Sequence, residues 1–546
     1  MAAEPQEHYG DALLRVETSP DDAHALGLDV WTHRTAVPSV VARVTPKQRA
    51  LLDASGVAYT VLEPDLGPQI EAERARLAAA TPVLGGGLDP VFYDDFRQFD
   101  AVLDRIAAWA ANEPDRVSVV EAGLSLEGRV IRGVRITNPG GPADRPVVFV
   151  QATMHAREWA AVAGTMYAAE QFITAPGGSA LDVLLDQAEL LVVPVVNPDG
   201  YVYSWDVERL WRKNRRDGVG VDLNRNWGWE WGGQGASPIP EENIYHGPSA
   251  FSEPESSAMR DLIDAEPHMI AMLDVHSYGQ LLLYPWGYDY VDSVDDILFA
   301  DLTADMAAPM MVPYGQEYLP LQSSDLYPAS GNAIDWAYGV HGIYAITLEV
   351  RPTFFEDWGF LLPPDQIVPT GEELVLGISS LIESSLMLGG TPGASSGTDT
   401  GGSESTTGGA SSAGTTAGVD ESSGTTSAGG LPTTSGGLTS GGGSGVEPPP
   451  PPPPGGTGAE TGSSDGGEPG QDDGGGGCAC RVSDGGGDGG VAWWWLLPVL
   501  GLRRRRRGWR SGRREVVSSH RAPGLSCFSP QHHHRTGRGA PGDYVV

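Results

Sequence analysis

Pro146-Val147-Val148-Phe149-Val150-Gln151-Ala152-Thr153-Met154-His155-Ala156-Arg157-Glu158-Trp159 is the stretch from which the fold can be read. The apolar run Pro146 to Val150 reads as a buried strand. The alanine-rich run Ala160 to Ile173 that follows favours helix. Between them stand His155 and Glu158, three residues apart. At the mouth of a helix that spacing puts an imidazole and a carboxylate on one face, about one turn apart. One nitrogen and one oxygen donor suit a zinc ion that takes another ligand from elsewhere. The pair does not decide alone. An H-x-x-E is expected on the order of once by chance in a chain this long. A plain helix start with an acidic first turn gives the same letters, because the macrodipole favours negative charge there.

Three later apolar runs resemble the first: Ala188 to Val196, Met269 to Val275 and Ile343 to Val350. They alternate with helical stretches. That order predicts an α/β fold with a doubly wound, mixed but mainly parallel sheet over residues 90–388. Phe99 to Ala111 reads as an amphipathic helix, with strands at 117–122 and 130–137. Each of the four runs ends in polar residues: His155, Asn197 with Asp199, His276 and Glu349. In open α/β sheets ligands bind beyond the carboxyl ends of the strands. The pattern therefore predicts one site on one edge.

Upstream, residues 8–67 read as β-α-β-β-α-β, a ferredoxin-like α+β domain. Ser19-Pro20 and Thr45-Pro46 open its helices, and Gly56 stops the second. Residues 68–89 form a connector, helical from Gln69 to Ala80 and broken by Thr81-Pro82-Val83-Leu84-Gly85-Gly86-Gly87. A flexible break between compact units is where a protease cuts. A plain linker has the same composition.

The chain has 546 residues, with 74 Gly and 43 Pro, and a formal net charge of -36. Such acidity argues against nucleic-acid binding and for a well-solvated protein. The cysteines, Cys478, Cys480 and Cys527, all lie after the large domain, so no thiol holds its core or serves as a nucleophile there. Met1 to Glu7 shows no basic n-region or apolar h-region, so no signal peptide is legible. Residues 389–490 are Ser, Thr, Gly and Pro-rich, a composition that cannot bury enough apolar surface to fold. A tether of roughly 100 such residues reaches about 50–60 Å. Then come Val491 to Leu502, an apolar run with three tryptophans, and Arg503 to Arg507. Together 491–507 read as a sorting or anchoring signal. Residues 508–546, including His532-His533-His534, carry no interpretable pattern.

With HAREW at 155–159, WRKN at 211–214, VDLNRNW at 221–227, DVHSYGQLLLYP at 274–285, LYPASG at 326–331 and ITLEVRP at 346–352, the large domain resembles the zinc carboxypeptidases of the carboxypeptidase A type. Residues 8–67 are similar to the activation propeptide of those enzymes. The C-terminal segment resembles the tripartite sorting tags of myxobacterial surface proteins, although residues 508–546 extend past the arginines that normally end such a tag.

The resemblance implies a role for each matching residue. His155, Glu158 and His276 would bind one zinc ion and leave a position for water. Glu349 would be the general base and Arg212 the oxyanion donor. Asp222 would orient the first zinc histidine. Arg225, with Asn224, would grip the substrate's terminal carboxylate. Arg157, Ser277, Tyr278 and Tyr327 would contact the substrate chain, with Arg209 as a weaker subsite candidate. Leu283, Gly287, Gln322, Ala329, Asn332, Ile334 and Thr347 would line the pocket for the terminal side chain. Ile334 stands where basic-specific relatives carry an aspartate, which favours an apolar or aromatic terminal residue. Gln322 and Asn332 leave mixed specificity open. Cis peptides are expected at Ser277-Tyr278, Pro285-Trp286 and Arg351-Pro352.

The expectation is a secreted or cell-surface monomeric metallocarboxypeptidase, made as a zymogen and switched on by an activating protease. It would remove single residues from the C-termini of peptides and proteins. Two alternatives stay open: a cell-wall peptide-cleaving zinc peptidase of the same fold, and an inactive surface-anchored binding module.

Overall fold

The computed structural model describes residues 8–34, 39–79, 90–142, 144–353 and 359–389, all within one compact unit, Met1–Ser411. The 81–87 break, the tether beyond residue 389, the 491–507 segment and residues 508–546 lie outside the described residues.

The small domain builds β1 (Ala12–Val16), β2 (Asp29–Arg34), β3 (Ser39–Val44) and β4 (Tyr59–Glu63) into an antiparallel sheet of order β2-β3-β1-β4. Its helices begin where capping chemistry places them. Ser19 Oγ accepts the Asp22 N–H at 3.1 Å. Thr45 and Gln48 exchange side-chain and backbone bonds as a capping box, and Gly56 closes that helix at φ 73°. Strand alternation then divides the side chains between two faces. Leu14, Val16, Val40 and Ala42 pack under the helices with Ala23 and Leu52. Leu13, Trp31 and Val41 face the other way and pack, with Leu66 and Ile70, on Leu210, Tyr278 and Phe360 of the large domain. Each apolar side chain buried in this way contributes about 1.5–3 kcal/mol. The helix Gly67–Ala79 leads out of the small domain.

The large domain is one sheet with helices on both faces. Its strands are β5 (Val117–Leu124), β6 (Val130–Ile136), β7 (Val147–Ala152), β8 (Glu189–Val193), β9 (Met269–Gly279), β10 (Leu281–Tyr284), β11 (Leu319–Gln322) and β12 (Tyr344–Thr353). Their order is β11-β10-β12-β9-β7-β8-β6-β5. The centre, β12-β9-β7-β8, is parallel, and β6 and β5 run antiparallel at one edge. The continuous apolar run of β7 follows from burial on both faces. Val148, Val150 and Ala152 join the core under the helices Phe99–Asn112, Trp159–Ile173 and Ile367–Leu388. Val147 and Phe149 point to the opposite core with Trp227, Met259 and Ile334.

The carboxyl ends of β7, β9 and β12 supply His155, His276 and Glu349 as expected. The fourth strand end does not join them. Asn197 caps the helix Pro198–Asp206 through Gly200 N–H and donates to the carbonyls of Met154 (2.9 Å) and Lys213 (3.1 Å). Asp199 is spent on Ser125, Arg129 and the Glu127 N–H. Asn197 thus holds the loop that carries His155, and only three of the four strand ends come together.

Candidate active site

His155 and Glu158 do not meet through helical spacing. The helix starts at Trp159, and residues before it form a tight turn in which Glu158 N–H donates to His155 O at 3.3 Å. Thr153 enters that turn at φ 64°. The turn brings His155 Nδ1 to 2.8 Å from Glu158 Oε1. From β9, His276 Nδ1 comes to 3.1 Å from His155 Nδ1 and 3.0 Å from Glu158 Oε2. All three residues are buried, and they form the only such cluster among the described residues, with ligand atoms within 4.8 Å of one another.

The donor set fits zinc in two ways. Ligands held at about 2.0–2.2 Å around a tetrahedral ion stand a little over 3 Å apart, close to what is seen. Both histidines also turn their second nitrogen onto a carboxylate, which fixes ring orientation and tautomer. His155 Nε2 lies 3.1 Å from Asp222 Oδ1, and His276 Nε2 lies 3.0 Å from Asp274 Oδ2. Asp222 was legible in the sequence. Asp274 was missed, although it stands two residues before His276 and so on the same strand face. Burial pushes Glu158 up, but His155 and His276 beside it hold its carboxyl well below the usual range. Burial opposes the charged form of His276, but Asp274 and Glu158 raise its pKa well above the usual value.

Around this cluster one cavity is lined by Arg212, Asn224, Arg225, Tyr327 and Glu349. Glu349 Oε2 is buried with no hydrogen-bond partner among the described residues. Burial and the neighbouring charge of Glu158 push its pKa up to about 8. Arg212 is anchored by Asp222, whose Oδ2 accepts from its Nε at 3.2 Å and its Nη2 at 2.9 Å. Asp222 thereby ties a zinc-ligand candidate to an oxyanion-donor candidate. Arg225 is buried, steadied by donation from Nε to Gly235 O and from Nη1 to Asn224 O, both 2.7 Å. Asn224 Oδ1 accepts the Ala333 N–H at 3.0 Å. A guanidinium fixed in this way presents its remaining edge as a fork for a carboxylate.

Leu281, Leu283, Ser323, Leu326, Ala329, Asn332, Ile334 and Thr347 line the same cavity beyond the cluster. Ser277 and Tyr278 are in the lining too. Gly287 and Gln322 are absent from it; Gln322 is buried and its Nε2 donates to Trp286 O and Val291 O. The bonds Ser277-Tyr278, Pro285-Trp286 and Arg351-Pro352 are cis.

Two sequence candidates are engaged by residues upstream of the large domain, Arg157 by the small domain and Arg209 by the connector helix. Arg157 Nη1 donates to Asp29 Oδ1 and Oδ2 at 2.8 and 2.9 Å, and its guanidinium lies 4.2 Å from the Phe360 ring centroid. Burial opposes Asp29's charge, but Arg157 and Arg43 hold its carboxyl below the usual range. Arg209 pairs with Glu73 and donates to Phe360 O at 2.8 Å. Neither arginine lines the cavity. Trp31, which the sequence reading passed over, does line it, set edge-on to Phe360 at 4.8 Å and to Tyr278 at 6.3 Å.

Comparison with known proteins agrees with this geometry. Residues 102–377 match the family model described as zinc carboxypeptidase. Carboxypeptidase B of Astacus astacus is 37% identical over 301 residues, covering 53% of this chain and 96% of the relative. Carboxypeptidase A2 of Rattus norvegicus is 34% identical over 372 residues, 66% of this chain and 87% of the relative. The crystal structure of carboxypeptidase A from Helicoverpa armigera superposes with a TM-score of 0.64 at 31% identity, covering 70% of this chain and all of that one (100%).

Proposed function

Because the chain belongs to the zinc carboxypeptidase family and is a metallocarboxypeptidase, we propose that it removes single apolar or aromatic residues from the C-termini of peptides and proteins. We propose further that it is made as a zymogen, with residues 8–67 covering the cleft until the connector at 68–89 is cut. The observation that carries the reading is a single cavity lined at once by the His155, Glu158 and His276 cluster, the Glu349 carboxylate, the buried Arg225 and the part-buried Arg212.

His155, Glu158 and His276 would hold the zinc, which when bound supplies a Lewis acid and brings the pKa of a coordinated water towards neutrality. Glu349 takes the water's proton at its unpartnered Oε2 and delivers it to the departing amine. Arg212, locked by Asp222, donates to the oxygen that gains charge as the carbonyl is attacked. Arg225 receives the terminal carboxylate, which restricts cleavage to the last residue. Tyr327 closes over it, with the Arg225 guanidinium 5.9 Å from its ring centroid. Leu283, Ile334 and Thr347 give the terminal side chain a wall with no charge to pair with Lys or Arg.

Support for the zymogen comes from Trp31 at the cavity and Asp29 on Arg157, a residue the family resemblance assigns to substrate contact. Among the described residues no helix is long and apolar enough to cross a membrane. The secreted or surface location rests on the order of tether, apolar run and arginines in the sequence. The test is release of amino acid from blocked dipeptides ending in Leu, Phe, Lys or Arg, before and after limited proteolysis, with zinc and with chelator. Zinc-dependent release of Leu or Phe after cleavage is expected. No release from zinc-loaded, cleaved protein would refute the reading.

A further inference from the structure

Asn332 occupies the wall of the terminal-residue pocket, and its amide is fixed. Nδ2 donates to Ala329 O at 2.6 Å and to Asp335 Oδ2 at 2.9 Å, and Oδ1 accepts the Asp335 N–H at 2.8 Å. Both N–H donors are therefore spent inside the protein. The partner carboxylate is itself fixed. Asp335 is buried and accepts from Gly287 N–H at 2.8 and 3.1 Å and from Tyr288 N–H at 2.8 Å. Three chain segments, 287–288, 329 and 332–335, are thus tied together through one amide. Turning the side chain away would leave buried polar groups unpaired.

The rigid amide also takes up room. Gly287 is not among the residues that line the cavity; a Cβ on it would meet Asn332 Nδ2 at 2.8 Å and Ser323 Oγ at 2.9 Å. Asn332 and Ser323 both line the cavity. Asn332 is a size limit with no N–H left to recognise a substrate group.

We infer that Asn332 is a specificity-determining residue that shortens the pocket, so that the enzyme releases Val, Leu, Ile and Met in preference to Phe, Tyr and Trp. This rests on the carboxypeptidase reading above and narrows it. Aromatic side chains need depth that Asn332 and Ser323 occupy, whereas aliphatic ones fill the space between Leu283, Ile334 and Thr347. A misfit of one or two carbons in an apolar pocket shifts kcat/KM by about 10–200-fold.

The test compares kcat/KM on blocked dipeptides ending in Leu, Met, Phe and Trp, for the zinc-loaded, proteolytically activated enzyme and for Asn332→Gly and Asn332→Ser. Asn332 is also the N-cap of the helix Ala333–His341, a position that tolerates glycine, so what Asn332→Gly loses is chiefly the amide's bonds to Ala329 and Asp335. Serine keeps a capping oxygen in a smaller side chain, so it serves if the glycine variant does not fold. The expected result is a Leu-to-Phe ratio of about tenfold or more in the parent. That ratio falls towards or below one in Asn332→Gly, with Asn332→Ser in between. A parent that prefers Phe, or variants that lose rate equally on both substrates, would overturn the inference and leave the carboxypeptidase reading intact. Release of no residue from any substrate would refute that reading and the inference with it.

Discussion

Glu349 stands in register with His276 on the neighbouring parallel strand, β12 beside β9. The pairing fixes the orphaned carboxylate next to a metal-ligand candidate without a loop between them. Side chains set on paired strands hold their separation better than side chains on separate loops, so Glu349, the proposed base, is placed by the sheet itself.

Glu349→Gln keeps the size and removes the base. Turnover should fall by about 100- to 10,000-fold, while zinc content, measured by metal analysis, stays at one per chain. Loss of zinc together with activity would mean that the residue acts in metal binding.

The pH profile follows from the same carboxylate. Without metal, burial and Glu158 push Glu349 up to about 8. The base works unprotonated, so rate rises with pH. A dication at the neighbouring cluster favours the charged form and lowers the midpoint. The acid limb of kcat/KM should therefore lie below pH 8 in the zinc enzyme. It should be missing from the residual activity of Glu349→Gln.

Asp274 and Asp222 hold the outer nitrogens of the two histidines. Asp274→Asn should weaken zinc binding by about 10- to 100-fold, read by competition with a chelator. Asp222→Asn should do the same and also loosen Arg212, so that kcat falls even at saturating zinc.

Asp29 ties the small domain to Arg157. Breaking a buried pair from one side costs about 3–5 kcal/mol, because the other charge is left buried. Asp29→Asn should raise the activity of uncleaved protein on small substrates. Unchanged, fully latent activity would show that Trp31 and its apolar neighbours suffice.

His8 adds a pH dependence to that docking. Its ring lies 3.1 Å from Asp11 and 2.8 Å from Glu208 of the large domain, with Arg43 on the same group. Burial opposes protonation, but the two carboxylates raise the pKa above 6.5. A raised pKa means stability that is fully present below about 6.5 and is lost as pH rises through the folded value. After the connector is cut, the small domain should stay bound more tightly at pH 6 than at pH 8, measured by co-elution and residual inhibition. His8→Asn should flatten the difference.

Much of this was legible in the sequence because period and punctuation agree with the fold. The run of β7 is apolar on both faces, and it is buried on both. Thr45, Gln48 and Gly56 mark the limits of their helix. Other features depend on tertiary contact. His155 and Glu158 meet through a turn whose backbone no spacing rule describes. Asn197 ends a strand as the others do, yet its amide is spent on carbonyls from distant segments. Gln322 and Asn332 look alike as polar departures in an apolar pocket, but the first is spent on the carbonyls of Trp286 and Val291, distant in sequence, while its own neighbours pin the second in the cavity wall. Trp31 gave no local signal, since its role depends on how two domains pack.

The most direct test of the central claim uses one peptide in two forms, with a free C-terminal carboxylate and with a C-terminal amide. Zinc-loaded, proteolytically activated protein is incubated with each, and the products are read by mass spectrometry. Loss of one residue from the free acid, with the amide almost untouched and no internal cuts, is predicted from Arg225 as the carboxylate receptor. Equal cleavage of both forms, or cuts within the chain, would contradict the account.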